Sequence, residues 1–120
     1  MELQKKTLAI TGAGGFIGLR MVQRAQDLGM EVRGLELSPE NAERARQNGA
    51  KVIVGDICDS GAVKALCQGA DILFHTAAIK KETGKWDLFY RVNVEGCHIV
   101  ARAAREAQVK RFIHLSSVAV

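Results

Sequence analysis

Residues 11–18 read Thr-Gly-Ala-Gly-Gly-Phe-Ile-Gly, with Gly12, Gly15 and Gly18 at intervals of three. That spacing suits a turn that cradles phosphate. The first glycine takes backbone angles that a Cβ would penalise. The second lets the backbone approach a pyrophosphate, and the third lets a helix lie close on a sheet. A helix starting here aims unpaired N–H groups and the positive end of its dipole at the anion. Glycine spacing alone is a weak signal, since a tight strand-to-helix turn without a ligand can show it. Here it follows the apolar run Leu8-Ala9-Ile10, precedes a helix-like stretch, and has the acidic Glu36 downstream.

The turn needs a strand before it and a helix after it, and the chain supplies both repeatedly. Five short apolar runs alternate with amphipathic stretches, the pattern of a parallel sheet with crossover helices. Strands are predicted over 7–11, 31–37, 51–55, 71–76 and 111–115. The first helix spans about 15–28, with Phe16, Ile17, Met21, Val22 and Ala25 at near-helical spacing and Gly29 as its stop. Ser38-Pro39 opens a second helix, serine as cap and proline in the first turn. A short helix follows over 61–67, then a polar loop over 77–85 and one long helix over 86–107. The fold class is therefore α/β, a Rossmann-type doubly wound parallel sheet. Right-handed crossovers and a reversal after the third strand give the order 3-2-1-4-5. A ligand is expected at the C-terminal edge, between the first and fourth strands.

The 120 residues amount to about one small domain, with 48% hydrophobic and 25% charged residues, as in ordinary globular proteins. No apolar run approaches the roughly 20 residues that span a bilayer, and residues 1–6 lack the apolar core of a signal peptide. A cytoplasmic protein with no membrane partner is expected. The net charge of +4 comes from basic residues scattered along helices without interleaved aromatics, so no nucleic-acid partner is expected. Cys58, Cys67 and Cys97 are odd in number and widely spaced, which fits neither a disulfide framework nor a zinc site. His75, His98 and His114 suggest no metal constellation by their spacing, and no Ser/His/Asp triad is supported. No metal is expected.

With these turns placed, the chain resembles the extended short-chain dehydrogenase/reductase family, which includes NAD-dependent epimerases, dehydratases and hydroxysteroid dehydrogenases. The motifs are Thr11-Gly12-x-x-Gly15-Phe16-Ile17-Gly18, Glu36, Gly55-Asp56-Ile57, Phe74-His75-x-Ala77-Ala78, Asn93-Val94-x-Gly96 and Ser116-Ser117. They cover nearly the whole chain in the family's order. The resemblance implies that Gly12, Gly15 and Gly18, with the N–H groups of Phe16 and Ile17, hold a pyrophosphate. Glu36 would accept from the adenosine ribose hydroxyls, favouring NAD over NADP because a carboxylate repels a 2′-phosphate. Asp56 and Ile57 would flank adenine. Thr76, Ala77, Ala78 and Lys80 would line the ribose and nicotinamide side, and Asn93 would support the active-site region. Ser117 would be the catalytic residue that hydrogen-bonds the substrate oxygen.

The resemblance also implies a tyrosine base with a lysine four residues later. The only tyrosine, Tyr90, is followed at that distance by Val94. Residues 1–120 therefore read as the N-terminal, NAD-binding portion of a longer enzyme, truncated before the last strands and expected to be inactive alone. The parent reaction would be hydride transfer on an alcohol or ketone of a nucleotide sugar, steroid or similar small molecule, bound through a lobe beyond these residues. Homodimers are common in the family. The rival reading is a dinucleotide-sensing module without chemistry.

Overall fold

The computed structural model describes residues 2–77 and 86–115. In chain order the elements are β1 (Thr7–Thr11), α1 (Phe16–Asp27), β2 (Glu31–Glu36), α2 (Pro39–Gln47), β3 (Lys51–Val54), α3 (Ser60–Cys67), β4 (Ile72–His75), α4 (Trp86–Tyr90), a π-helical turn (Arg91–Glu95), α5 (Gly96–Glu106) and β5 (Arg111–His114). The strands form one sheet in the order β3-β2-β1-β4-β5, every neighbouring pair parallel. This is the expected α/β arrangement. The register sets Thr11 beside His75 and Leu35 beside Thr11, so the ends of β1, β2 and β4 share one edge.

The central strands β1 and β4 are buried at every position. Their near-continuous apolar sequences suit strands covered on both faces. Successive side chains point to opposite faces, which divides the core in two. Leu8, Ile10 and Phe74 pack with Val22 and Ala25 of α1 and Ala45 of α2. Ala9 and Leu73 pack with Val63 and Leu66 of α3 and Val100, Ala103 and Ala104 of α5. Each large side chain so buried contributes about 1.5–3 kcal/mol. Ser38 caps α2 through its hydroxyl, which accepts from the Asn41 N–H at 3.3 Å, with Pro39 next in the chain. Asp59 caps α3 by accepting from the N–H groups of Gly61 and Ala62.

One expectation needs correction. The single helix expected over 86–107 is interrupted at Arg91–Glu95 by a wider π-helical turn, so α4 and α5 are separate α-helical pieces. Periodicity cannot register one extra residue per turn inside an otherwise helical pattern. Such turns recur at functional sites, and this one brings Arg91 and Val92 to the same cleft as the glycine turn.

A polar knot joins β1 to β4 at their common edge. The Thr11 hydroxyl lies 2.6 Å from His75 Nδ1 and accepts from the N–H groups of Thr76 at 3.0 Å and Ala77 at 3.1 Å. With two N–H groups donating to it, the hydroxyl directs its own hydrogen at Nδ1, leaving the ring proton of a neutral histidine on Nε2. Burial, followed by the neighbouring His114, lowers the His75 pKa from 6.5 to about 4. Between those values the unfolded chain binds more proton than the folded one. The stabilisation is therefore complete above pH 6.5 and is lost as the pH falls toward about 4. A shift of this size corresponds to something on the order of 3 kcal/mol. Urea unfolding of the native chain should show that acid loss, and His75→Gln should flatten it across the same window. An unchanged pH profile in His75→Gln would assign the acid sensitivity to other groups.

Candidate functional site

The glycine turn works through close approach. Gly12 has φ +71°, in the left-handed region, and closes the turn by accepting from the Gly15 N–H at 3.1 Å. At Gly18 an added Cβ would run into the Gly12 carbonyl oxygen, so α1 can pass this close to the β1 turn only with glycine there. Gly15 stands at the N-cap of α1 in an extended conformation and has no side chain to cap it. No acidic residue occupies the first turn of α1. The leading N–H groups, those of Phe16 and Ile17 among them, therefore keep their positive electrostatic character at the mouth of the turn.

These groups face a cleft of about 420 Å³. Its walls include Gly12, Gly15–Gly18, Glu36, Asp56, Ile57, Thr76 and Ala77, so motifs far apart in sequence meet at one edge. Glu36 ends β2 and is buried, with one carboxylate oxygen accepting from the Gly14 N–H at 2.9 Å. Glu36 is thus not an exposed acid at the strand end. The Asp56 carboxylate accepts from the Cys58 N–H at 2.9 Å, a local turn bond that coexists with its place on the cleft wall. Ile57 is buried in the core on the α3/α5 face. Thr76 is tied to β1 by its hydroxyl, which donates to the Thr11 carbonyl at 2.7 Å.

Other expected site residues stand differently. Asn93 lies half-buried in the π-helical turn, while its neighbours Arg91 and Val92 are the ones on the cleft wall. Ala78, Lys80 and Ser117 lie outside the described residues.

Sequence reasoning passed over several contributors. Gly14 holds Glu36, and an added Cβ at Gly14 would meet the Asn41 carbonyl of α2. Arg44, one turn further along α2, donates to Asn41 Oδ1 at 3.2 Å and reaches the Gly14 carbonyl at 3.5 Å. The adjacent Gly14-Gly15 pair was the signal for the first. Arg20 and Arg33, two basic residues that precede Glu36 in the sequence, are engaged elsewhere or placed within a strand. Arg20 stacks on the Phe16 ring at 4.0 Å and donates to the Phe16 carbonyl at 2.9 Å, whereas Arg33 lies inside β2.

The cysteines and histidines divide by environment. Burial raises the Cys67 thiol to about 11, against a smaller opposing effect of Arg33, which makes it a core residue. Cys58 is raised too, by burial and then by Asp56, and its thiol faces the Arg91 carbonyl at 3.5 Å. His75 and His114 stack with ring centres 5.5 Å apart. Among the described residues it is Cys97, not the adjacent His98, that joins them, with ligand-capable atoms of all three within 4.8 Å of one another.

The profile of the 3-beta hydroxysteroid dehydrogenase/isomerase family matches residues 9–120. A ketoreductase from Stigmatella aurantiaca, acting on 4-hydroxy-2-methyl-3-oxo-4-farnesyl-3,4-dihydroquinoline-1-oxide, is 34% identical over 111 residues, 92% of this chain and 33% of its own. The 3 beta-hydroxysteroid dehydrogenase/Delta 5→4-isomerase of Mycobacterium tuberculosis is 33% identical over 118 residues, covering 92% of this chain and 31% of that one. A solved short-chain dehydrogenase/reductase superfamily protein from Agrobacterium tumefaciens with bound NAD is 29% identical with TM-score 0.81, over 92% of this chain and 32% of that one. The uronate dehydrogenase of Agrobacterium tumefaciens is 27% identical with TM-score 0.78, over 94% and 41%. The chain thus spans about a third of the length of the curated relatives it matches. With the match running through the glycine turn, Glu36 and the β4 edge together, this chain belongs to the 3-beta hydroxysteroid dehydrogenase/isomerase family.

Proposed function

We propose that the cleft binds NAD and that this chain is the cofactor-binding portion of an extended short-chain dehydrogenase/reductase. The observation that carries the reading is the convergence of the uncapped α1 N-terminus and the buried Glu36 carboxylate on one cleft. The fit is chemical at both ends. A pyrophosphate suits the Phe16 and Ile17 N–H groups and the helix dipole. A ribose diol suits a carboxylate of which one oxygen is already fixed by Gly14. Because the carboxylate is held in place, it repels a 2′-phosphate rather than swinging away, which favours NAD over NADP.

Asp56 and Ile57 then flank the adenine, the aspartate accepting from its exocyclic amine. Thr76 and Ala77 form the opposite wall, with Ala78 and Lys80 continuing it and Asn93 supporting it from the π-helical turn. Bound NAD supplies hydride exchange with an alcohol or ketone. Ser117 is the residue assigned to hold the substrate oxygen by hydrogen bonding. A tyrosine–lysine base pair is absent from residues 1–120, since Tyr90 precedes Val94 at the relevant spacing. The reading therefore gives proton transfer to further residues of a longer chain, along with selection of a sugar, steroid or similar small molecule. The same reading takes the parent enzyme as cytoplasmic, with a homodimer as one assembly open to it. Small-molecule rather than nucleic-acid partners are supported by the engagement of the basic side chains. Arg20 lies on Phe16, Arg44 on Asn41, and Arg46 beside Glu43 at 3.7 Å.

Calorimetric titration of the folded chain should give saturable NAD binding that is tighter than NADP binding. Glu36→Ala should weaken NAD by roughly 10- to 100-fold, the worth of a charge-assisted hydrogen bond, and should abolish the preference between the two cofactors. Gly14→Ala, which leaves the carboxylate in the sequence but disturbs its anchor, should lower NAD affinity in the same direction. A cooperatively folded chain that binds neither cofactor would refute the assignment.

A further inference from the structure

We propose that His75, Cys97 and His114 form a binding site for a soft divalent transition-metal ion such as zinc, separate from the cofactor cleft. The residues come from β4, α5 and β5, and their ligand-capable atoms already lie within 4.8 Å of one another. A tetrahedral zinc ion, with nitrogen at about 2.0–2.1 Å and sulfur at about 2.3 Å, needs its ligand atoms roughly 3.5 Å apart. The remaining contraction is small. His114 is exposed and Cys97 is half-buried, so both can turn by side-chain rotation, while His75 is fixed in the core. Cys97 Sγ and His114 Nδ1 are already 4.0 Å apart.

The chemistry of the three groups agrees. Thr11 occupies Nδ1 of His75, which leaves Nε2 as the coordinating atom. Coordination moves the ring proton from Nε2 to Nδ1, and the Thr11 hydroxyl changes from donor to acceptor there, the supporting arrangement that metal-bound histidines use. The Thr76 N–H, which also reaches the Thr11 carbonyl at 3.3 Å, can release the hydroxyl for this role. Cys97 binds as thiolate and gives its proton to solvent. One thiolate with two imidazoles selects zinc, cobalt or copper over magnesium or calcium. Water takes the fourth position.

The ion would pin β5 and α5 to the end of β4, two residues from the Ala77 wall of the cleft. The test is titration of the full 120-residue chain with cobalt(II) at neutral pH, followed by zinc competition. The expected result is one ion per chain and a thiolate-to-cobalt charge-transfer band that zinc removes. Cys97→Ser should eliminate the band, and His114→Ala should weaken binding at least about tenfold, the scale on which even supporting groups matter. Cys58→Ser should change neither. Circular dichroism reports whether each variant is folded. His114→Ala alters an exposed side chain and decides the question should Cys97→Ser fail to fold. Absence of the band, its survival in Cys97→Ser, or unweakened binding in His114→Ala would each overturn the proposal.

Discussion

The close passage of α1 over the β1 turn is the constraint on which the rest of the molecule depends. Only a glycine at position 18 lets the helix start beside the Gly12 carbonyl, and only that start aims the α1 N–H groups into the cleft. The same geometry seats Val22 and Ala25 against the sheet, so packing and the proposed anion recognition rest on one contact. A larger residue there would lift the helix, opening the core and turning its dipole away from the site.

The two sides of the turn are then fixed by different means. Toward β4, the Thr11 hydroxyl gathers His75, Thr76 and Ala77 into a buried polar knot. Toward β2, Gly14 clasps the Glu36 carboxylate beneath α2. Both arrangements keep buried polar groups hydrogen-bonded, which offsets the cost of removing them from water. Both also hold side chains in the positions that the proposed recognition needs before a ligand arrives, which lowers the ordering cost of binding.

Much of this was legible in the sequence because it rests on local pattern. The buried runs of β1 and β4, the Ser38-Pro39 helix start and the spacing of Gly12, Gly15 and Gly18 each carry their structural meaning within a few residues. The strand order followed from crossover handedness. What was not legible depends on contacts through space. Nothing near Gly14 announces Asn41 or Arg44, which arrive on α2. In the sequence His98 is the third histidine beside His75 and His114, yet in the fold its neighbour Cys97 is the residue that meets them. The π-helical turn shares its side-chain chemistry with an ordinary helix and differs in backbone hydrogen bonding, so the pattern of Val92 and Val94 could not reveal it.

The central claim is that the glycine turn and Glu36 together receive a dinucleotide. Backbone amide NMR during titration with NAD tests it residue by residue. The account requires the largest shifts at Gly14, Gly15, Phe16 and Ile17, with smaller ones at Ile57 and Ala77 and little change along β5. Shifts centred on another surface, or none in a chain whose spectrum is well dispersed, would contradict it and leave the turn as packing alone.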